Sequence, residues 1–138
     1  SFLLPLHEAV QEPPEGSQLC IASVTFAGPF TGRLEVTATE KLLDSITMNM
    51  LGEDNISEVQ RYDALMEISN VICGNLLPLI AGHEAVFHMT APQVADVENV
   101  NQCINPATAT SIISLDDGWA KTSLYILNGA LLGQVLTL

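Results

Sequence analysis

Four residues near the middle of the chain have types and spacings that could act together on another molecule. Asp63, Glu67, Asn70 and Gly74 are separated by 4, 3 and 4 positions, and such spacings place all four on one face of an α-helix. Glu67 and Asn70 would lie about 4.5 Å apart along the axis, so a carboxylate and an amide could enter one cleft of a partner. An ordinary solvated helix face has the same pattern, so these residues alone do not assign a function.

A long helix is predicted to carry this face. Ser57 and Gln60 have the spacing of a capping box, which indicates that the helix begins there. At 100° per residue the opposite side forms a predicted core stripe of Tyr62, Leu65, Ser69, Ile72, Leu76 and Leu79. We therefore expect Leu65, Ile72 and Leu76 to be buried, with Glu67 and Asn70 exposed. Pro78 removes a hydrogen bond to the Gly74 carbonyl and should kink or end the helix beyond the polar pair.

The other predicted elements are strands and one further helix. A helix over residues 40–51 has Thr39 as its N-cap and Gly52 as its C-cap. Strands are predicted over residues 19–26, 32–38, 85–90, 107–115 and 119–127. A loop over 28–31 joins the first pair, a long loop spans 91–106, and Asp116, Asp117 and Gly118 form a hairpin turn. Strands, two helices and further strands indicate one α+β domain over residues 1–138.

Charge and composition exclude several classes of function. The chain has 16 acidic and 4 basic residues, a formal net charge of −12. Its basic residues are scattered, which argues against binding of nucleic acid or anionic lipid. The uncharged stretches 68–82 and 122–138 fall short of the roughly 18 to 20 apolar residues that span a bilayer, so we expect a soluble protein.

Cysteine and histidine positions do not indicate a metal or nucleophile site. Cys20, Cys73 and Cys103 are widely spaced without a C-x-x-C pair, which favours buried packing roles and a reducing cytoplasm. His7, His83 and His88 lack the spacing of metal-binding motifs, and we expect no metal ligands in this chain.

The segment from Asp63 to Gly74 resembles the D-x-x-x-E-x-x-N signature of the CheC and CheX chemotaxis phosphatases, including the small residue four positions after Asn70. The resemblance extends over roughly residues 19–127. Three further segments are similar to the family in order and spacing: residues 26–34, the Met-Leu-Gly that ends at Gly52 and the Asp-Asp-Gly that ends at Gly118. The chain has one copy of the signature, which is the CheX arrangement. The family's N-terminal helix is absent here or reduced to Phe2, Leu3 and Leu4.

This resemblance implies a CheC-like α+β fold, a largely antiparallel sheet packed against two main helices. It also implies dephosphorylation of a CheY-like response regulator that carries an aspartyl phosphate and binds a divalent cation, Mg²⁺, with no cofactor held by this chain. Glu67 and Asn70 would be the catalytic residues, Glu67 docking onto the partner's active-site lysine and Asn70 orienting the attacking water. Asp63 and Gly74 would contact the partner.

The alternative is a non-catalytic adaptor of the same fold that binds a signalling or flagellar-switch partner. Flagellar switch proteins resemble this family but lack the Glu and Asn pair, so the presence of both residues favours the enzyme. A homodimer is also expected, because the strand over 119–127 and the apolar tail after it would otherwise expose a hydrophobic edge. The tail over 128–138 could be a strand, a docked extension or an oligomer contact.

Overall fold

A computed structural model describes residues 12–95, 107–115 and 118–129. In chain order its elements are β1 (Leu19–Ala27), β2 (Phe30–Thr39), α1 (Glu40–Leu51), α2 (Glu58–Ala81), β3 (His88–Met89), β4 (Gln93–Ala95), β5 (Ala109–Leu115) and β6 (Gly118–Gly129). The expectations for Phe2 to Leu4, His7, Cys103 and the tail beyond residue 129 lie outside the described residues.

The strands form one antiparallel sheet in the order β3, β1, β2, β6, β5, with β4 also pairing with β1. The β1–β2 connection is tighter than predicted, since Phe30 and Thr31 already belong to β2. Phe30 is buried edge-on against Phe26 and Phe87, with ring centroids 5.9 and 5.1 Å away. At Gly28 a Cβ atom would lie 2.6 Å from the Val86 carbonyl oxygen, so the turn requires a residue without a side chain.

Two short strands share one edge of β1. The predicted strand over 85–90 is reduced to β3, which pairs with Phe26 and Ala27. The predicted loop over 91–106 begins with β4, which pairs with residues 21–23 of β1. These pairings connect residues 61 to 74 positions apart, so local residue patterns did not reveal them.

The predicted hydrophobic edge at residues 119–127 is wrong. That segment belongs to β6, which lies inside the sheet because it pairs with β2 on one side and β5 on the other. The outer strand on this side is β5, whose Ile113 and Leu115 are 54% and 57% exposed.

Both helices begin at the caps predicted from the sequence. The Thr39 hydroxyl accepts a hydrogen bond from the Leu42 amide at the start of α1, and Gly52 ends that helix at a φ of 69°. The Ser57 hydroxyl accepts from the Gln60 amide at 3.1 Å, and the Gln60 side chain accepts from the Ser57 amide at 2.9 Å. Both predicted helix starts are confirmed. A cap depends only on neighbouring residues, so it can be recognised in the sequence.

Pro78 does not end α2, which continues to Ala81 before the Gly82 amide donates to the Pro78 carbonyl at 2.8 Å. Pro78 cannot donate a hydrogen bond to the Gly74 carbonyl, but only three residues of α2 follow it. Its neighbour Leu77 is only 2% exposed, so packing holds this turn in place.

The core lies between the sheet and the two helices. Its largest fully buried side chains include Leu34, Leu43, Leu65, Leu124 and Val24. The buried residues of α2 are Ala64, Leu65, Ser69, Cys73 and Leu77.

The predicted stripe on α2 is therefore partly wrong. Leu65 and Ser69 are confirmed as buried, Ile72 and Leu76 are half-buried, and Leu79 is 78% exposed. Apolar residues occur on more than one side of this helix, so periodicity does not fix its inward direction. The residues that are buried instead include the small side chains Ala64 and Cys73.

By length and composition, α2 is the one helix among the described residues that could cross a membrane, with a mean hydropathy of 1.5 over 18 residues. In this fold it packs against β1, β2 and α1. A long apolar helix that packs on a sheet has the same length and hydropathy as a membrane-spanning helix. The contacts of α2 support the interpretation that it is such a sheet-packing helix.

Candidate functional site

A charged clamp fixes the first half of α2 against α1. The Arg61 guanidinium donates to both carboxylate oxygens of Asp44, at 2.6 and 3.2 Å, and lies 3.5 Å from the Glu40 carboxylate. The hydrogen bond to Asp44 raises the pKa of Arg61 above its usual value. A bidentate pair of this kind constrains orientation as well as distance, so α1 and α2 present their outer residues in a fixed relation.

The four predicted site residues lie together on the outer side of α2. Asp63, Glu67, Asn70 and Gly74 are all exposed, which confirms the predicted exposure of Glu67 and Asn70. A Cβ atom added at Gly74 would meet nothing within 4 Å, so the backbone there is open to a partner.

Within the described part of the chain, the side chains of Glu67 and Asn70 form no hydrogen bond or ion pair with other residues. Their neighbour Ser69 differs, because it is fully buried and its hydroxyl donates to the Leu65 carbonyl at 2.8 Å. The Glu67 carboxylate and the Asn70 amide thus retain their hydrogen-bonding capacity for another molecule.

Two grooves flank the Asp63 and Glu67 side chains. The first, which we name the loop groove, has a volume of about 410 Å³ and is lined by Asp63, Met66, Glu67, Asn70, Ala91 and Pro92. The second, which we name the helix groove, has a volume of about 370 Å³ and lies between α1 and α2. It is lined by Asp63 and Glu67 together with Thr47, Met50, Leu51, Gln60 and Ala64. Asp63 and Glu67 form the ridge between the grooves, and Asn70 faces the loop groove alone.

The far wall of the loop groove is anchored to the sheet by a pair of threonines. The Thr90 amide donates to the Thr25 carbonyl at 2.9 Å, and the two hydroxyl oxygens are 2.8 Å apart. The Thr25 amide also donates to the Thr90 hydroxyl at 3.1 Å. These bonds hold the segment immediately before Ala91 and Pro92 and so fix the wall opposite Asn70.

The residue pattern of the sequence did not indicate the walls of either groove. Ala91 and Pro92 are more than 20 positions from Asn70 and have no chemical feature of their own, so only strand pairing reveals their place. Met50 and Leu51 are apolar residues of the predicted helix over 40–51, and they are 55% and 48% exposed. The Gly52 cap follows directly after them and places both in the last turn of α1.

The described cysteines and histidines do not add to this site. Cys20 and Cys73 are buried, and burial raises the pKa of each thiol to about 11, so both are protonated near neutral pH and serve as packing residues. Among the described residues no three His, Cys, Asp or Glu side chains are grouped so as to hold a metal ion.

Comparison with protein families finds a match to the model of the chemotaxis phosphatase CheX over residues 20–114. This range contains all four residues on the outer side of α2 and the walls of both grooves. No curated protein matches the chain in sequence.

Solved structures of chemotaxis proteins share the fold. The CheX protein from Vibrio vulnificus is 20% identical, with a TM-score of 0.65 over 86% of this chain and 85% of that one. A CheC-like protein from Shewanella oneidensis is 22% identical, with a TM-score of 0.62 over 86% and 80% of the two chains. A complex of CheX with CheY, BeF₃ and Mg²⁺ from Borrelia burgdorferi gives 17% identity and a TM-score of 0.59 over 88% and 89%. These likenesses confirm the predicted α+β fold, with its antiparallel sheet and two helices.

Proposed function

The chain belongs to the family of the chemotaxis phosphatase CheX, and we propose that it hydrolyses the aspartyl phosphate on the receiver domain of a CheY-like response regulator. The family match over residues 20–114 carries this proposal. The Borrelia burgdorferi structure adds support, since in it a CheX protein is in complex with CheY.

Asn70 is the proposed water-positioning residue. An acyl phosphate is already activated, so its hydrolysis requires a water molecule held in line with phosphorus and the departing aspartate carboxylate. The Asn70 amide can accept a hydrogen bond from this water and donate to an oxygen of the phosphoryl group, and it does not titrate. Its exposure on α2 and its place in the loop groove support this role.

Glu67 is the proposed docking residue. Its carboxylate would pair with the lysine in the receiver's active site and so fix how the two proteins are aligned. Asp63, one turn before Glu67, and the bare backbone at Gly74 would contact the same partner. The lack of intramolecular partners for Glu67 among the described residues supports this assignment, because no internal bond must break for docking.

The Mg²⁺ in this proposal is bound by the receiver domain and not by this chain. The Borrelia burgdorferi complex contains Mg²⁺, and the described residues here provide no cluster of ligands for a metal ion. We place the reaction in the cytoplasm. Cys20 and Cys73 are free, buried thiols, which fits a reducing compartment.

We also propose that the protein forms a homodimer, with the outer strand β5 as the candidate contact in place of β6. Ile113 and Leu115 on β5 are more than half exposed, and an apolar edge strand tends to pair with another chain. Light scattering should give twice the mass of one chain, whereas a monomer at high concentration would argue against this contact.

The proposed function is tested by following loss of phosphate from receiver domains. Candidate CheY-like receivers are phosphorylated with acetyl phosphate, freed of the donor and mixed with substoichiometric amounts of this protein. We expect many turnovers per molecule with at least one receiver, and none with a variant that carries both Glu67→Ala and Asn70→Ala. Complex formation without faster hydrolysis would instead identify a non-catalytic adaptor.

A further inference from the structure

The helix groove contains large apolar side chains that are exposed on one of its walls. Met50 and Leu51, at the end of α1, are about half exposed, while Thr47 and Ala64 at the base of the groove are buried. The Arg61 clamp to Asp44 holds α1 and α2 together beside this groove. Apolar side chains that line a concave surface are typical of an interaction site, in contrast to single exposed apolar residues elsewhere.

The opposite wall of the helix groove is acidic. It is formed by Asp63 and Glu67 of α2, and at the rim Gln60 donates to the Glu53 carboxylate at 3.1 Å. No basic residue is among those that line the groove in the described part of the chain. The nearby cation Arg61 is engaged by Asp44 and Glu40 of α1.

An apolar wall that faces an acidic wall complements one kind of side chain. Lysine and arginine have long methylene stems that pack on apolar surfaces and a cation that seeks carboxylates or water. With the stem against Met50 and Leu51, the cation would lie near Asp63. A neutral apolar group would leave the acidic wall unmatched, and an acidic group would be repelled.

We propose that the helix groove binds a lysine or arginine side chain, with its adjoining apolar surface, on the same receiver domain and so selects which receivers are dephosphorylated. This inference rests on the proposed function, because Glu67 lines both grooves and makes the helix groove continuous with the proposed catalytic pair. The residue that occupies the groove is distinct from the active-site lysine that would pair with Glu67.

The test introduces a positive or a negative charge at one residue of the apolar wall, Met50. Met50→Lys and Met50→Glu both replace an exposed apolar side chain with a helix-compatible one, and only the sign of the charge differs. Affinity for the receiver domain loaded with beryllofluoride and Mg²⁺ is measured by calorimetry at low and at high salt. Turnover of the phosphorylated receiver is measured in parallel. Val86→Lys is the matched control, since Val86 is 70% exposed and lies beyond the C-terminal end of α2.

We expect Met50→Lys to weaken binding about tenfold at low salt and less at high salt, because added salt screens the repulsion. Met50→Glu should bind within about threefold of the parent, and Val86→Lys within about twofold. The kcat at saturating receiver should be unchanged in all three variants, so that the effect of Met50→Lys is confined to KM. Equal losses for the two Met50 variants, or no loss in either, would overturn the inference.

The parent protein distinguishes failure of the inference from failure of the proposed function. A parent that turns over a phosphorylated receiver while the Met50 variants behave alike overturns only the role of the helix groove. A parent that neither binds nor dephosphorylates any receiver overturns the proposed function, and the inference with it.

Discussion

The inner side of α2 packs against β1 and β2, whereas its outer side faces solvent. Ser69 and Asn70 show the difference at neighbouring positions. The Ser69 hydroxyl is buried and donates to the Leu65 carbonyl, so its hydrogen-bonding capacity is used inside the protein. The Asn70 amide is exposed and has no partner among the described residues. Ser69 and Asn70 are both polar, but the side of α2 on which each side chain lies suits Ser69 to packing and Asn70 to contact with another molecule.

This difference implies that stability and activity depend on separate residues. The inner side sets where α2 lies on the sheet, and its small and apolar residues should tolerate little change in volume. The outer side contributes little to folding, because its side chains lose few contacts when truncated. Substitutions on the two sides should therefore have effects that can be measured independently.

The largest effect is expected on the inner side, at Leu65, which is 1% exposed. Leu65→Ala should lower the free energy of unfolding by about 3 kcal/mol, because it removes buried methyl groups and leaves a cavity. Urea denaturation measures this change, and turnover per folded molecule should remain that of the parent. Val71→Ala, at a 49% exposed position of the same helix, should stay within about 0.5 kcal/mol. Equal free energies of unfolding for Leu65→Ala and Val71→Ala would contradict the expected difference between the inner and outer sides of α2.

The next effect is expected on the outer side, at Asn70. Asn70→Ala should reduce turnover of the phosphorylated receiver about 100-fold while leaving the affinity for that receiver nearly unchanged, because only the water-positioning amide is lost. Its stability should remain within about 0.5 kcal/mol of the parent.

Asn75→Ala is the matched control for Asn70→Ala, since Asn75 is also exposed on α2 but does not line either groove. It should retain the parent's turnover. If folded Asn70→Ala protein accelerates dephosphorylation as fast as the parent, Asn70 is not the catalytic residue.

The smallest of the three effects is expected at Glu67. Glu67→Ala should weaken the complex with the receiver by about 1 kcal/mol if the pair stays partly exposed, and by more if docking removes water from it. Glu67→Gln keeps the shape and removes the charge, so it should weaken binding to a similar extent. Calorimetry measures both affinities, and parent-like binding by Glu67→Gln would argue against a charge pair.

The local features of the site could be predicted from the sequence. The caps at Thr39 and Ser57 and the 4, 3, 4 spacing of the outer residues depend on neighbours within one or two helical turns. The exposure of Glu67 and Asn70 followed from the same periodicity. Family resemblance, and not periodicity, turned this exposed face into a candidate site.

The direction of the inner side was less certain from the sequence. The prediction placed Leu79 in the core, but the structure instead buries Ala64 and Leu77. A helix with apolar residues on several sides can pack in more than one rotation, and hydrophobic period does not choose among them. Contact with β1, β2 and α1 decides which rotation is adopted.

The sequence by itself determined where each helix begins, which four residues share the outer side of α2 and which family signature they form. Only the tertiary structure decided what surrounds them: Pro92 in the groove with Asn70, Met50 in the groove with Glu67, and β5 at the edge of the sheet. The physical reason is the range of the interactions. Caps and helical faces arise from residues a few positions apart, whereas groove walls and sheet edges depend on pairing and packing between distant segments, which local patterns do not encode.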